Sequence, residues 1–339
     1  MNWKSILMIM TAVFLTACTE SEAPTEKEST EQPSVTEENT KSPTDDEVNI
    51  MLPSEELQKK AEGDAVLQLQ EALQQIGYTI PQDGIFSDST TWAITDFQLQ
   101  VDGLDATGVF DDKTKEALER FLEERETIEA GAGLPPLAEP VFTDAGSEVI
   151  GNPYDQLAVI NKHAALPGDY EPDDLVVPNV RFPFTEDSPK KQLRAPAARA
   201  LEQLFDAAEE AGHILFAQSG YRSYDTQVSL FERYAEEHGE EAANLFSARP
   251  GESEHQSGLA MDITSEAVGY QLTVDFGDTP EGKWVADNAH LFGFIIRYPE
   301  GKEAITQYQY EPWHLRYVGV RAATEMKEND WTLEEYFNE

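Results

Sequence analysis

Apolar and polar residues are distributed differently in successive stretches of the chain, and each change of pattern marks a boundary. Residues 6–16 are almost wholly apolar, whereas residues 19–50 are rich in Glu, Thr, Ser and Pro and carry few large apolar side chains. From residue 52 the apolar positions take up a helical period. Val66, Leu69, Leu73 and Ile76 share one face of a helix predicted over 65–76, and Gly77 ends it. A turn and a helix then occur twice. Gly84-Ile-Phe-Ser-Asp-Ser-Thr-Thr-Trp-Ala-Ile-Thr-Asp-Phe97 recurs 24 residues later as Gly108-Val-Phe-Asp-Asp-Lys-Thr-Lys-Glu-Ala-Leu-Glu-Arg-Phe121. Gly84 and Gly108 suit turns with positive φ, and Asp88 and Asp112 are placed to cap the helices. Ala93, Ile94 and Phe97, like Ala117, Leu118 and Phe121, fall at helical spacing. Residues 52–124 therefore predict a separate, small, all-α domain of three helices.

Residues 125–151 mix Gly, Pro, Ala and acidic residues and read as an interdomain linker. Residues 152–339 suffice for one substantial domain. Within it, 191–211 predicts an amphipathic helix through Leu193, Ala197, Leu201, Leu204, Phe205 and Ala208, closed by Gly212. The short apolar run 213–218 predicts a buried strand, Ser219-Gly220 a turn and 226–237 a helix. Strands are predicted over 259–263, 294–298 and 313–318. Helices and short strands without regular βαβ alternation predict an α+β fold.

The formal net charge is −41. Such a chain repels phosphate backbones, which excludes a nucleic-acid partner, and it repels anionic membrane surfaces. Cys18 is the only cysteine. An intrachain disulfide and thiolate metal sites are thereby excluded, so a metal would have to use His and carboxylates. The apolar run 6–16 follows Lys4 and falls short of the roughly 20 residues that span a bilayer. It fits a secretory signal. Its tail, Leu15-Thr16-Ala17-Cys18, resembles the bacterial lipobox, in which the cysteine is acylated and becomes the mature N-terminus. The expectation is a lipoprotein signal peptide over 1–17, with a lipid on Cys18 as the membrane anchor. Residues 18–50 would then form a disordered acidic tether.

Candidate chemistry gathers in two segments, Ser253-Glu-His-Gln-Ser-Gly-Leu-Ala-Met-Asp262 and Tyr310-Glu-Pro-Trp-His-Leu-Arg316. Two His and one Asp (His255, His314 and Asp262) suit catalytic Zn2+, because three protein ligands leave the fourth position for water. The metal makes that water acidic, and a carboxylate must still move its proton to the leaving amine. Glu311, three residues before His314, is the candidate base. Residues three apart face opposite sides of a regular strand. Glu311 and His314 can share a site only where the chain turns or bulges, and Pro312 provides a break in pairing. Taken singly, Glu254 and Glu311 read as solvated carboxylates.

The repeat, written GxFxxxTxxAxxxFQ, resembles the peptidoglycan-binding-domain family, although its second copy lacks the final Gln. The resemblance implies a helical module that docks on cell-wall glycan or peptide. The sequence SEHQSGLAMD followed by YEPWHLRYVG resembles the zinc D-alanyl-D-alanine carboxypeptidase family of VanY type. The signature S-x-H-x-x-G-x-A-x-D is complete from Ser253 to Asp262, and E-P-W-H is intact. The likeness runs from Leu157 to Lys162, through Leu166-Pro167 and Tyr170 to Leu175, and on to Leu333-Glu-Glu-Tyr336. It implies a central antiparallel sheet, assigns His255, Asp262 and His314 to Zn2+, and makes Glu311 the general base. Ser219-Gly-Tyr-Arg-Ser-Tyr-Asp-Thr-Gln227 also matches. A carboxypeptidase must recognise a free terminal carboxylate, and arginine does so with two parallel hydrogen bonds. Arg222 is the choice for that contact, with Gln227 and Ser253 as further substrate contacts. Arg316 is an alternative carboxylate partner or a residue that orients the site. His290 reads as structural. Gln307 departs from the glycine that relatives often carry before the tyrosine. The expected activity is removal of the terminal D-alanine from peptidoglycan stem peptides, outside the cytoplasm and facing the wall. An L,D-carboxypeptidase or an endopeptidase would use the same chemistry. A wall-binding lipoprotein with an inactive catalytic domain is the reading from another class.

Overall fold

The computed structural model describes residues 51–337 apart from 138 and 245–246, so the expected signal peptide, Cys18 and the expected tether lie outside the described residues. Among the described residues no helix is long and apolar enough to cross a membrane. Three helices, α1 (Asp64–Gln75), α2 (Asp88–Gln100) and α3 (Asp112–Glu124), form where the apolar period predicts them. Val66, Leu69, Leu73, Ile94, Phe97 and Leu118 are buried in one core, the arrangement an apolar stripe on each helix requires. The caps differ from expectation by one residue. Ser87 and Asp111 hold the N-cap positions, Asp111 accepting from the Thr114 amide, while Asp88 and Asp112 are the first helical residues. A carboxylate there still meets the positive end of the helix dipole, and Asp88 also pairs with Lys59 at 2.6 Å.

The repeat has a polar basis as well. Gln98 reaches forward from the end of the first copy into the turn of the second. Its Oε1 accepts from the Thr107 and Gly108 amides at 2.9 and 3.0 Å, and its Nε2 donates to the Val109 carbonyl and Thr114 Oγ1 at 2.8 and 2.9 Å. Gln70 does the same one copy earlier. It accepts from the Asp83 and Gly84 amides and donates to the Ile85 carbonyl and Thr90 Oγ1. Both glutamines are buried, so these bonds satisfy side-chain amides that water does not reach. The second copy ends in Leu122 where the first has Gln98. Gly108 is required twice over. Its φ is +73°, and a Cβ there would stand 2.7 Å from Thr91 Cγ2.

Residues 125–151, read from composition as a linker, are packed down at several points. The Ile128 amide donates to the Ile76 carbonyl at 2.8 Å. The fully buried Asp96 carboxylate accepts from Tyr78 Oη, Gln100 Nε2 and the amides of Gly131, Gly133 and Leu134, at 2.7–3.0 Å. Further on, β1 (Val141–Phe142) pairs antiparallel with β2 (Glu148–Val149), which runs parallel to β3 (Ala164–Ala165).

In the larger domain β4 (Leu175–Val176) pairs with β5 (Leu193–Arg194) just before α4 (Ala195–Glu210). Leu193 is thus in a strand and not in the helix. The reason is Pro196, which fits a first helical turn and disfavours helical backbone before it. Next come β6 (Phe216–Ser219), α5 (Tyr224–His238), β7 (Ala260–Thr264), β8 (Phe294–Tyr298) and β9 (Glu311–Tyr317). The principal sheet is antiparallel in the order β6-β7-β9-β8. One face is apolar: Met261, Ile263, Trp313 and Leu315 pack with Leu201, Leu204 and Phe205 of α4. By strand alternation, Asp262, His314 and Arg316 stand on the other face. The strong test of the module is Asp96. Asp96→Ala leaves five donors short of their acceptor, and urea unfolding should show a loss of about 2–4 kcal/mol.

Candidate active site

Three segments bring the site together. The turn Glu254–Ser257 carries His255, β7 carries Asp262 and β9 carries His314. The β7–β9 register places Asp262 directly opposite His314. Gly258 closes the turn with φ +69°, and a Cβ there would lie 2.8 Å from Arg194 Cγ, so this glycine is a close-approach position.

The predicted irregularity lies in β9. Ile296 pairs with Leu315, but Tyr298 pairs with Glu311, so two residues along β8 span four along β9. This bulge contains Pro312 and brings Glu311 round to the His314 side. Glu311 Oε2 comes to 3.9 Å from His314 Nδ1.

His255, Asp262 and His314 each offer a ligand atom, and these atoms lie within 4.8 Å of one another in a buried cluster. The histidine ring atoms are already divided between two tasks. His255 Nδ1 lies 2.9 Å from the Gly220 carbonyl, and His314 Nε2 lies 3.2 Å from Glu254 Oε2. Each ring can donate on that side and turn a lone pair inward, from His255 Nε2 and His314 Nδ1. Asp262 Oδ1 stands 3.1 Å from His314 Nδ1 but makes no aligned hydrogen bond. Donor atoms that crowd together without bonding one another are the arrangement a metal ion needs. Two imidazoles and a carboxylate suit a tetrahedral site with one open position.

Charge follows from burial. Burial pushes the Glu311 carboxyl up to about 7, with the Asp262 charge adding to the effect and His314 and Arg222 opposing it. Burial alone would lower His314, but the Asp262 and Glu254 carboxylates on either side of its ring hold it up at about 9. A proton and a metal compete for that ring. Burial lowers His255. Against the burial that would raise it, His255 and His314 hold Asp262 well below the usual carboxylate range.

Sequence reasoning missed the centre of the supporting network. Glu254, read as solvated, is fully buried. Its Oε1 accepts from Arg316 Nη1 at 2.6 Å and Arg297 Nε at 2.7 Å, while Oε2 faces His314. Burial raises its pKa, but the two guanidiniums outweigh that and hold the group well below the carboxylate range. Arg316 is committed to this network and to the Gln156 and Ala158 carbonyls, so it is not free to bind a substrate carboxylate. Arg297 continues to Glu334 in the helix Leu333–Phe337. The available signal was an arginine in the otherwise apolar β8.

Arg222 lies on the loop after β6, where burial lowers its pKa and the Asp262 and Glu311 charges oppose that shift. Its Nη1 donates to Gln227 Oε1 at 2.8 Å, and Gln227 Nε2 in turn donates to the Ala248 carbonyl at 2.6 Å. Gln227, expected to touch substrate, thus holds Arg222 in place. Ser253 is buried at the start of the His255 turn. His290 is not among the clustered donors. Gln307 has φ +60°, which explains the glycine expected there, and it reaches His163 at 2.7 Å.

The model for VanY, D-alanyl-D-alanine carboxypeptidase, matches residues 190–320. The Bacillus subtilis protein described as "Putative carboxypeptidase YodJ" is 56% identical over 192 residues, covering 57% of this chain and 70% of its own length. The chain belongs to the VanY family of D-alanyl-D-alanine carboxypeptidases. It is a metallopeptidase by class. A model described as "Putative peptidoglycan binding domain" matches residues 62–118, the span of the repeat. The bifunctional D-Ala-D-Ala dipeptidase and carboxypeptidase VanXYC of Enterococcus gallinarum is 35% identical over 182 residues, which are 53% of this chain and 92% of its own. The solved LD-carboxypeptidase LdcB is 55% identical, covering 59% of this chain and 93% of its own, with a TM-score of 0.57.

The supporting network is testable without substrate. Glu254→Gln leaves two buried guanidiniums facing a neutral amide. Metal-free protein should lose about 3–5 kcal/mol in denaturant unfolding, and a loss under 1 kcal/mol would show that the network is dispensable.

Proposed function

We propose that this chain is a zinc carboxypeptidase that removes the terminal D-alanine from peptidoglycan stem peptides. The observation that carries the reading is the buried His255–Asp262–His314 donor set with Glu311 beside it. When bound, Zn2+ acts as a Lewis acid toward water and the scissile carbonyl.

The chain's own residues supply the rest. Arg222 receives the terminal carboxylate through its guanidinium fork, and Gln227 keeps that fork oriented. This contact selects the last residue of a peptide over an internal bond. Glu311, with its pKa near 7, is matched to taking a proton from water at neutral pH and giving it to the departing amine of D-alanine. Ser253 begins the turn that carries His255 and is a further substrate contact in this reading. Asp262, His255 and His314 would hold the metal. Glu254 keeps His314 turned the right way.

The 55% identity to the LD-carboxypeptidase LdcB favours the tetrapeptide stem as substrate over the pentapeptide. The repeat module would hold the enzyme to the wall, and a lipid on Cys18 would anchor it to the cell membrane, facing the wall, through the acidic tether.

Digestion of purified tetrapeptide and pentapeptide muropeptides, read by mass spectrometry, tests the activity. Loss of a single D-alanine, abolished by chelation and restored by Zn2+, is the expected result, and cleavage inside the stem would overturn the carboxypeptidase reading. Glu311→Gln should keep stoichiometric zinc and lose about 10²–10⁴-fold in kcat. Arg222→Met should act mainly on KM, raising it about tenfold or more as a charge-assisted bidentate contact is lost.

A further inference from the structure

The repeat module does more than share a chain with the peptidase domain. Two successive carbonyls in the turn before Gly108 point out of the module and are taken up by residues that lead to the metal donors. The Ala106 carbonyl accepts from Arg194 Nη2 at 2.5 Å. The Thr107 carbonyl accepts from the Gln156 amide at 2.9 Å.

We propose that the module is part of the active-site scaffold, with Arg194 and Gln156 as positioning residues that transmit its docking to His255 and His314. The inference rests on the zinc reading above. Arg194 is fully buried, and its remaining donors go to the Tyr154 carbonyl at 3.0 Å and to Asp174 at 2.9 Å. Its own amide donates to the Gly258 carbonyl at 2.8 Å, and its Cγ lies directly under Gly258. Gly258 closes the turn that carries His255. The first route is therefore Ala106, Arg194, Gly258, His255.

The second route runs through the charge network. The Gln156 carbonyl accepts from Arg316 Nη2 at 3.1 Å, Arg316 Nη1 binds Glu254 at 2.6 Å, and Glu254 faces His314 Nε2 at 3.2 Å. Inside the module the same turn is gripped from behind, because Gln98 takes the Thr107 and Gly108 amides. Turn amides are thus satisfied by the repeat and turn carbonyls by the peptidase domain, with little solvent between. One further contact between module and peptidase domain serves as a control. Arg199 pairs with Asp105 at 2.6 Å with half its side chain exposed, and that pair leads to no site residue.

The test uses the full chain. Arg194→Lys keeps a cation beside Asp174 and gives up the fork to Ala106 and Tyr154. Gln98→Leu loosens the turn from the module side, at a residue whose side chain bonds only within the module. Zinc affinity is measured on metal-free protein by chelator competition, together with kcat and KM on a tetrapeptide muropeptide. Both variants should bind zinc about tenfold more weakly, as loss of outer-shell support does. They should also lose about tenfold in kcat with KM within twofold, while Arg199→Ala matches wild type. Cooperative unfolding of each variant confirms that it is folded, and if one does not fold the other decides. Zinc affinity and kcat within twofold of wild type in a folded variant would overturn the proposal. A wild-type chain that binds no zinc would overturn the zinc reading itself, which is a separate result.

Discussion

A carboxylate that water does not reach must be neutralised by its neighbours, and Glu254 sets that condition for the whole site. Removing it from water costs several kcal/mol unless opposite charges and donors surround it. The structure surrounds it with Arg316, Arg297 and His314. Each partner then has its own demands. Arg316 draws in the backbone of the segment at Gln156 and Ala158, and Arg297 draws in Glu334 near the end of the chain. Sequence-distant segments are fixed because one buried charge needs all of them. Such a network costs stability if broken, and what it gains here is the orientation of a single imidazole.

The sheet divides its labour by alternation. Odd-numbered positions of β9, Trp313 and Leu315, supply the apolar core, and the even positions His314 and Arg316 supply the chemistry. Glu311 would be on the wrong side of this scheme. The bulge opposite β8 corrects its phase, at the expense of regular pairing near Pro312. The strand is therefore regular where it builds the core and irregular only where the base has to meet a ligand.

Much of this was legible in the residues. Helical periods located α1, α2 and α3, and the apolar run at 294–298 coincides with β8. The metal donors and Glu311 were readable because chemistry restricts residue types at such a site. Two kinds of feature were not. Buried charge, as at Glu254 and Arg297, looks in sequence like surface charge, since only partners distant in the chain reveal it. Packing of low-complexity stretches is also hidden. Residues 125–151 have a linker's composition, yet Asp96 collects three of their amides. Backbone donors carry no side-chain signature.

The glutamine clamp of the repeat has a direction. Each copy reaches forward, so Gln70 serves the turn at Gly84 and Gln98 the turn at Gly108. Leu122 stands where the next glutamine would be. An array built this way has a growing end and a closed end. Duplication of an upstream copy would carry its own clamp with it and could lengthen the module. A copy appended after Leu122 would begin with a turn whose amides had no acceptor. The length of this module is thus limited on one side by hydrogen-bond chemistry, and a glutamine at position 122 would lift that limit.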